Sequence, residues 1–68
     1  MKVSINGKEI IVFRGARIGD AVLSYSPPLY TMLLAGQVSV YDRFGNLVEP
    51  DGPLHEGQIL TLKISEQP

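Results

Sequence analysis

Val38-Ser-Val-Tyr-Asp-Arg-Phe-Gly-Asn-Leu-Val-Glu-Pro-Asp-Gly-Pro-Leu-His-Glu-Gly-Gln-Ile-Leu-Thr-Leu-Lys-Ile64 decides the fold. Val38 and Val40 alternate with Ser39 and Tyr41, the period-two pattern of a half-buried strand. Arg43-Phe-Gly-Asn46 then turns the chain, with Gly45 or Asn46 supplying a positive φ. Leu47-Val48-Glu49 reads as a short strand, and Pro50-Asp-Gly-Pro53 as a turn. Leu54 is placed to dip into the core before Glu56-Gly57 turns again. Leu60, Leu62 and Ile64 alternate with Thr61 and Lys63 in a final strand. Ile59 is apolar too, which suggests that this strand is covered on both faces at its start.

The N-terminal half supplies what this unit must pack against. Met1, Val3 and Ile5 alternate with Lys2, Ser4 and Asn6, and Asn6-Gly7 is a strong hairpin signal because both residues tolerate positive φ. Glu9-Ile-Ile-Val-Phe13 is the return strand. Beyond Arg14-Gly15, Ile18, Ala21, Val22 and Tyr25 form one helical stripe. No Ser, Thr, Asp or Asn stands just before Ile18, so its N-cap is poor, and Asp20 offsets part of that loss. Gly19 weakens this helix by ~1 kcal/mol relative to alanine. Ser26-Pro27-Pro28 ends it, and Ser26 is placed to cap a second helix with Pro27 at its first position and Gly36 as its stop. An extended apolar loop under the sheet is the alternative for that segment.

The order β-β-α-(α)-β-β-β reads as α+β, with the helix on one sheet face. The Asn6-Gly7 hairpin, the Gly15-x-x-Ile18-x-Asp20-Ala21-Val22 helix entry and the Gly52-x-Leu54-x-x-Gly57-Gln58 run resemble a ubiquitin-like β-grasp domain. The likeness covers nearly the whole chain. It is greatest to the small sulfur carriers of thiamine and molybdopterin synthesis (the ThiS/MoaD branch) and to TGS domains. It implies a mixed sheet of four to five strands with the first and last parallel at its centre, one helix on one face and a possible second short helix. Residues 1–64 then form a single domain and 65–68 a frayed polar tail. Two features depart from that family. Sulfur carriers end in Gly-Gly, whereas this chain ends in Glu66-Gln67-Pro68, and Pro27-Pro28 introduces extra apolar chain before the third strand.

Composition narrows the functional classes. A 68-residue chain buries only about 60% of its unfolded surface, which leaves little room for a deep cleft. With six basic and seven acidic side chains, a net charge of -1 and no basic run, nucleic-acid binding has no electrostatic support. The absence of cysteine removes disulfides, thiolate metal sites and cysteine nucleophiles. The N-terminus turns polar too early for a signal-peptide core, and no apolar run approaches the ~20 residues that span a bilayer. The expectation is a cytoplasmic, non-membrane protein.

No catalytic, cofactor-binding or metal-binding set emerges. His55 is the only histidine and sits in a turn, where a solvated side chain is the plain reading. Glycines 45, 52 and 57 stand in turns rather than in a phosphate-binding loop. Arg43-Phe44 is more informative, because a turn needs no phenylalanine and both residue types are enriched at binding hot spots. Phe44 either folds back onto the sheet or stands out for a partner. Leu29, Tyr30 and Leu33 lie in a segment with more apolar bulk than one stripe buries, so it completes the core or exposes a patch. Tyr25, Tyr30 and Tyr41 either line a surface patch or, the preferred reading, serve as core borders with their hydroxyls in water. The preferred expectation is a non-enzymatic module that binds another protein or itself through Leu29, Tyr30, Leu33, Arg43 and Phe44. The alternatives are a sulfur-carrier-like protein with an atypical tail and a TGS-like regulatory or RNA-associated module.

Overall fold

The computed structural model describes residues 1–65. Its elements run β1 (Lys2–Ile5), β2 (Lys8–Ile11), α1 (Ile18–Tyr25), α2 (Pro27–Leu34), β3 (Val38–Tyr41), β4 (Leu47–Val48) and β5 (Ile59–Ile64). One mixed sheet has the order β2-β1-β5-β3-β4. The first and last strands lie side by side and parallel; the other neighbours are antiparallel. With two helices packed against the sheet, this is an α+β, β-grasp-like fold. The second helix is real, so the extended-loop alternative falls. Among the described residues no helix is long and apolar enough to cross a membrane.

The β1–β2 hairpin turns at Asn6 and Gly7, with φ of 51° and 84°, as a two-residue turn with both central residues left-handed requires. Asn6 does more than turn. Its backbone N–H donates to Leu60 O at 3.0 Å, and its side-chain oxygen accepts from Leu62 N–H at 2.9 Å. The side chain thus continues the β1–β5 ladder one step past the end of β1.

Helix α1 begins without a capping oxygen, since an Arg17 side chain has none to offer. Its first amides are satisfied from elsewhere. Ile18 N–H donates to Gly52 O at 3.1 Å and Gly19 N–H to Pro50 O at 2.6 Å. The Asp20 carboxylate accepts from Arg17 N–H at 2.8 Å, and Arg17 Nη1 donates to Asp51 O at 2.6 Å. The Pro50–Pro53 arch is therefore the missing cap. Gly19 is explained by the same contact, because a Cβ there would sit 3.2 Å from Pro50 O and 3.4 Å from the Tyr30 ring.

Helix α2 starts as its sequence implies, with Ser26 Oγ accepting from Leu29 N–H at 3.4 Å and Pro27 in the first turn. It stops in a Schellman arrangement: Gln37 N–H reaches Met32 O at 2.8 Å, and Gly36 N–H reaches Leu33 O at 3.1 Å with Gly36 at φ 79°.

Both helices cover the face formed by Val3, Ile5, Val38, Val40 and Leu60, joined by Ile18, Ala21, Val22, Leu33 and Leu54 in one core. Each of the larger side chains contributes about 1.5–3 kcal/mol by burial. Strand alternation sends Lys2, Ser4, Glu9, Ile11, Ser39, Tyr41, Leu47, Ile59, Thr61 and Lys63 to the opposite face. Among the described residues no element covers that face. The expectation that β5 is covered on both sides at its start is thereby corrected: Ile59 is 43% exposed. Ser65 N–H donates to Gln37 O at 2.8 Å, so the order extends one residue past β5. The rest of the expected frayed tail, residues 66–68, lies outside the described residues.

Two substitutions separate these contributions. Asn6→Gly keeps the positive φ but deletes the acceptor for Leu62 N–H, and is expected to cost about 1 kcal/mol in urea unfolding, whereas Asn6→Asp retains most of that stability. Gly19→Ala improves helix propensity by ~1 kcal/mol, yet it is expected to lower the melting temperature because the arch must retreat from the new methyl group.

Candidate functional site

The β3–β4 connection is held by one side chain. Asp42 Oδ1 accepts from Phe44 N–H and Asn46 N–H, each at 2.9 Å, and Oδ2 accepts from Asn46 Nδ2 at 3.4 Å. Asp42 N–H donates to Asn46 O at 2.9 Å, and Gly45 N–H to Asp42 O at 3.1 Å. Gly45, at φ 82°, is the residue that takes the left-handed conformation. The Asn46 amide, with the Phe44 amide and the Asn46 side chain, holds the Asp42 carboxyl below its ordinary value.

At the tip, Phe44 is 78% exposed. It does not fold back onto the sheet. The Arg43 guanidinium lies 5.4 Å from its ring centroid, and the Lys63 ammonium lies 5.4 Å from the Tyr41 centroid across the adjoining strand. Both contacts fall within cation–π range.

The arch after Leu54 closes beside this tip. His55 N–H donates to Gln58 Oε1 at 2.9 Å, and Gln58 N–H returns to His55 O at 3.1 Å. The Glu56 carboxylate accepts from Lys2 N–H at 3.0 Å, and Gly57 N–H donates to Lys2 O at 2.7 Å. His55 itself is exposed.

Three open clefts meet on this part of the molecule. One, of about 250 Å³, lies over β1 and is lined by Lys2, Ser4, Glu9, Glu56 and Ile59 among others. The second, of about 260 Å³, runs between the turn and the arch, past Arg43, Phe44, His55, Glu56 and Ile59. The third, of about 380 Å³, is bounded by Tyr41, Asp42, Arg43, Gly45, Thr61 and Lys63. Glu56, Gly57 and Ile59 belong to the first two, and Asp42 and Arg43 to the last two, so the three form one continuous surface.

The five residues expected to bind a partner do not form one patch. Arg43 and Phe44 stand together on the exposed turn. Leu33 is in the core at 7% exposure, and Leu29 and Tyr30 are half-buried against that core. The α2 segment therefore completes the core, because its stripe faces α1 and the sheet; its exposed leucine is Leu34. Tyr25 also packs at the core margin. Tyr41, expected at the core border, lies instead on the open face opposite Thr61, where it joins Ile59 and Lys63 in the surface around Phe44; neither Ile59 nor Lys63 is marked as a site residue by the sequence reading. The alternation in β5 and the register against β3 were the signals that place them there.

Among the described residues no group of three or more His, Asp or Glu side chains is placed to hold a metal ion. Compared with known proteins, the chain matches no family model, no curated protein and no solved structure. Its likeness to β-grasp proteins is one of architecture, and an architecture that hosts many activities does not choose among them. The sulfur-carrier expectation turns on Glu66-Gln67-Pro68, which lie outside the described residues.

The Asp42 loop has a defined pH response. Its folded pKa is depressed, so its contribution is present above the ordinary value of 3.8 and is lost as pH falls through the lower folded value. An NMR titration is expected to show the Phe44 and Asn46 amides shifting together below pH 3.8. Asp42→Ala is expected to speed hydrogen exchange at both amides at neutral pH.

Proposed function

We propose that this chain is a non-enzymatic docking module, and that its partner, another protein or a second copy, seats on the open face around Phe44 and Ile59. The observation that carries this reading is the exposure of Phe44 on a loop fixed by its neighbour. Leaving an aromatic ring in water forgoes about 1.5–3 kcal/mol of burial. The loop does not need that ring, because Asp42 and Gly45 supply its hydrogen bonds and its left-handed residue. A pre-ordered loop also lowers the entropy cost of binding.

Affinity capture from native lysate, run in parallel with wild-type protein, Phe44→Ala and Ile59→Ser, tests the reading, with light scattering to detect self-association. A partner, or a dimer, weakened about thirtyfold by Phe44→Ala is expected, the loss typical of a hot-spot aromatic. Unchanged melting temperatures would confirm that the variants remain folded. A strict monomer that retains nothing overturns the proposal, as does a partner held equally by all three proteins.

A further inference from the structure

The cleft between the β3–β4 turn and β5 differs in charge from the rest of the chain. Its lining contributes two cations, Arg43 and Lys63, and one carboxylate, Asp42. Asp42 is engaged: its oxygens receive the Phe44 amide, the Asn46 amide and the Asn46 side chain. Those bonds come from neutral groups and leave its charge in place, so among the described residues the cleft carries two positive charges against one negative on a protein whose net charge is -1.

Each cation is also placed by an aromatic face, Arg43 by Phe44 and Lys63 by Tyr41, at 5.4 Å in both cases. A ring contacts one side of a guanidinium or ammonium and leaves its other N–H groups available. An incoming carboxylate would meet that one-charge excess of cations and gain charge-assisted hydrogen bonds from them. Immediately beside it, sharing Asp42 and Arg43, is the cleft that presents Phe44 and Ile59. Two cations are too few to neutralise a nucleic-acid backbone, and the apolar Phe44 and Ile59 beside them, flanked by His55 and Glu56, suit a protein side chain rather than a sugar-phosphate.

We propose that the occupant is an acidic segment of a partner protein, with an Asp or Glu carboxylate between Arg43 and Lys63 and a neighbouring aliphatic or aromatic side chain on Phe44 and Ile59. This rests on the docking reading above and adds the chemistry of the partner.

The probe is a phage-displayed library of random dodecapeptides, selected against wild-type protein and against the double variant Arg43→Glu, Lys63→Glu, with a fluorescent oligouridine as counter-probe. Wild type is expected to enrich peptides that carry Asp or Glu within a few positions of an apolar residue. A synthetic peptide of that set should bind about tenfold or more weakly to the double variant, and more weakly as salt is raised. Selection on the double variant should favour Lys or Arg instead. Enriched peptides without acidic residues, or acidic peptides bound equally by both proteins, overturn the acidic-partner inference. If those peptides are still weakened by Phe44→Ala, the docking reading stands alone. Peptides indifferent to Phe44→Ala, no enrichment at all, or oligouridine bound in preference to the peptides would overturn both.

Discussion

The pairing of β1 with β5 is the constraint on which the rest depends. It is short: the register covers only Ser4 with Ile59 and Ile5 with Leu60. A parallel ladder of that length is weak by itself. Here side chains close it at both ends. The Glu56 carboxylate accepts a hydrogen bond from the Lys2 amide before the first backbone pair, and the Asn6 side-chain oxygen accepts one from the Leu62 amide after the last. The two strands are also the first and last described strands, so fixing them beside each other fixes where the elements between them must go. A parallel connection needs a crossover, and α1 and α2 provide it over the face that carries Val3, Ile5 and Leu60. Strand β3 is then left to pair with the far half of β5, from Val38 with Ile64 to Tyr41 with Thr61.

The arch from Pro50 to Gln58 links this scaffold to the open face. At one end its carbonyls cap α1; at the other, Gly57 and Glu56 grip Lys2 on β1. Leu54 anchors the middle in the core. A connection this long would ordinarily be mobile, but each end is stitched to a different element. The backbone at His55 and the Glu56 carboxylate are therefore tied down beside the hydrogen-bonded Asp42 loop. Rigidity on both banks of the clefts comes from interactions that belong to the fold.

The local parts of this structure were legible in the sequence because their causes are local. Asn6-Gly7 dictates its turn, Ser26-Pro27 starts α2 and Gly36 ends it, since each depends on residues within one turn of chain. The β5 alternation gave its core face, and Leu54 read correctly as core. What escaped depends on distant partners. Gly19 reads as a weak helix residue until Pro50 is seen packed against it. Arg17 reads as a missing cap until Gly52 and Pro50 supply one. The apolar excess of Leu29, Tyr30 and Leu33 was ambiguous because only the packing of α2 on α1 decides that it is core. Phe44 was ambiguous for the same reason, with the opposite outcome.

That outcome separates stability from function at a single loop. If the Phe44 ring were needed for folding, it would contact the core or complete the turn; it does neither, and Asp42 satisfies the turn through backbone and Asn46 groups. The surrounding face is not a cleanly polar one either. A solvated sheet face ordinarily alternates apolar-in with polar-out, yet Ile11, Leu47 and Ile59 are exposed among Lys2, Glu9 and Lys63. A mixed surface of this kind stays soluble while it offers apolar contact, because the charges interrupt any continuous patch. The rings of Tyr41 and Phe44 then act twice: they supply apolar area and they aim the cations beside them. On the docking reading proposed above, such a surface would select its partner by sign of charge as well as by hydrophobicity, which a bare apolar patch does not do.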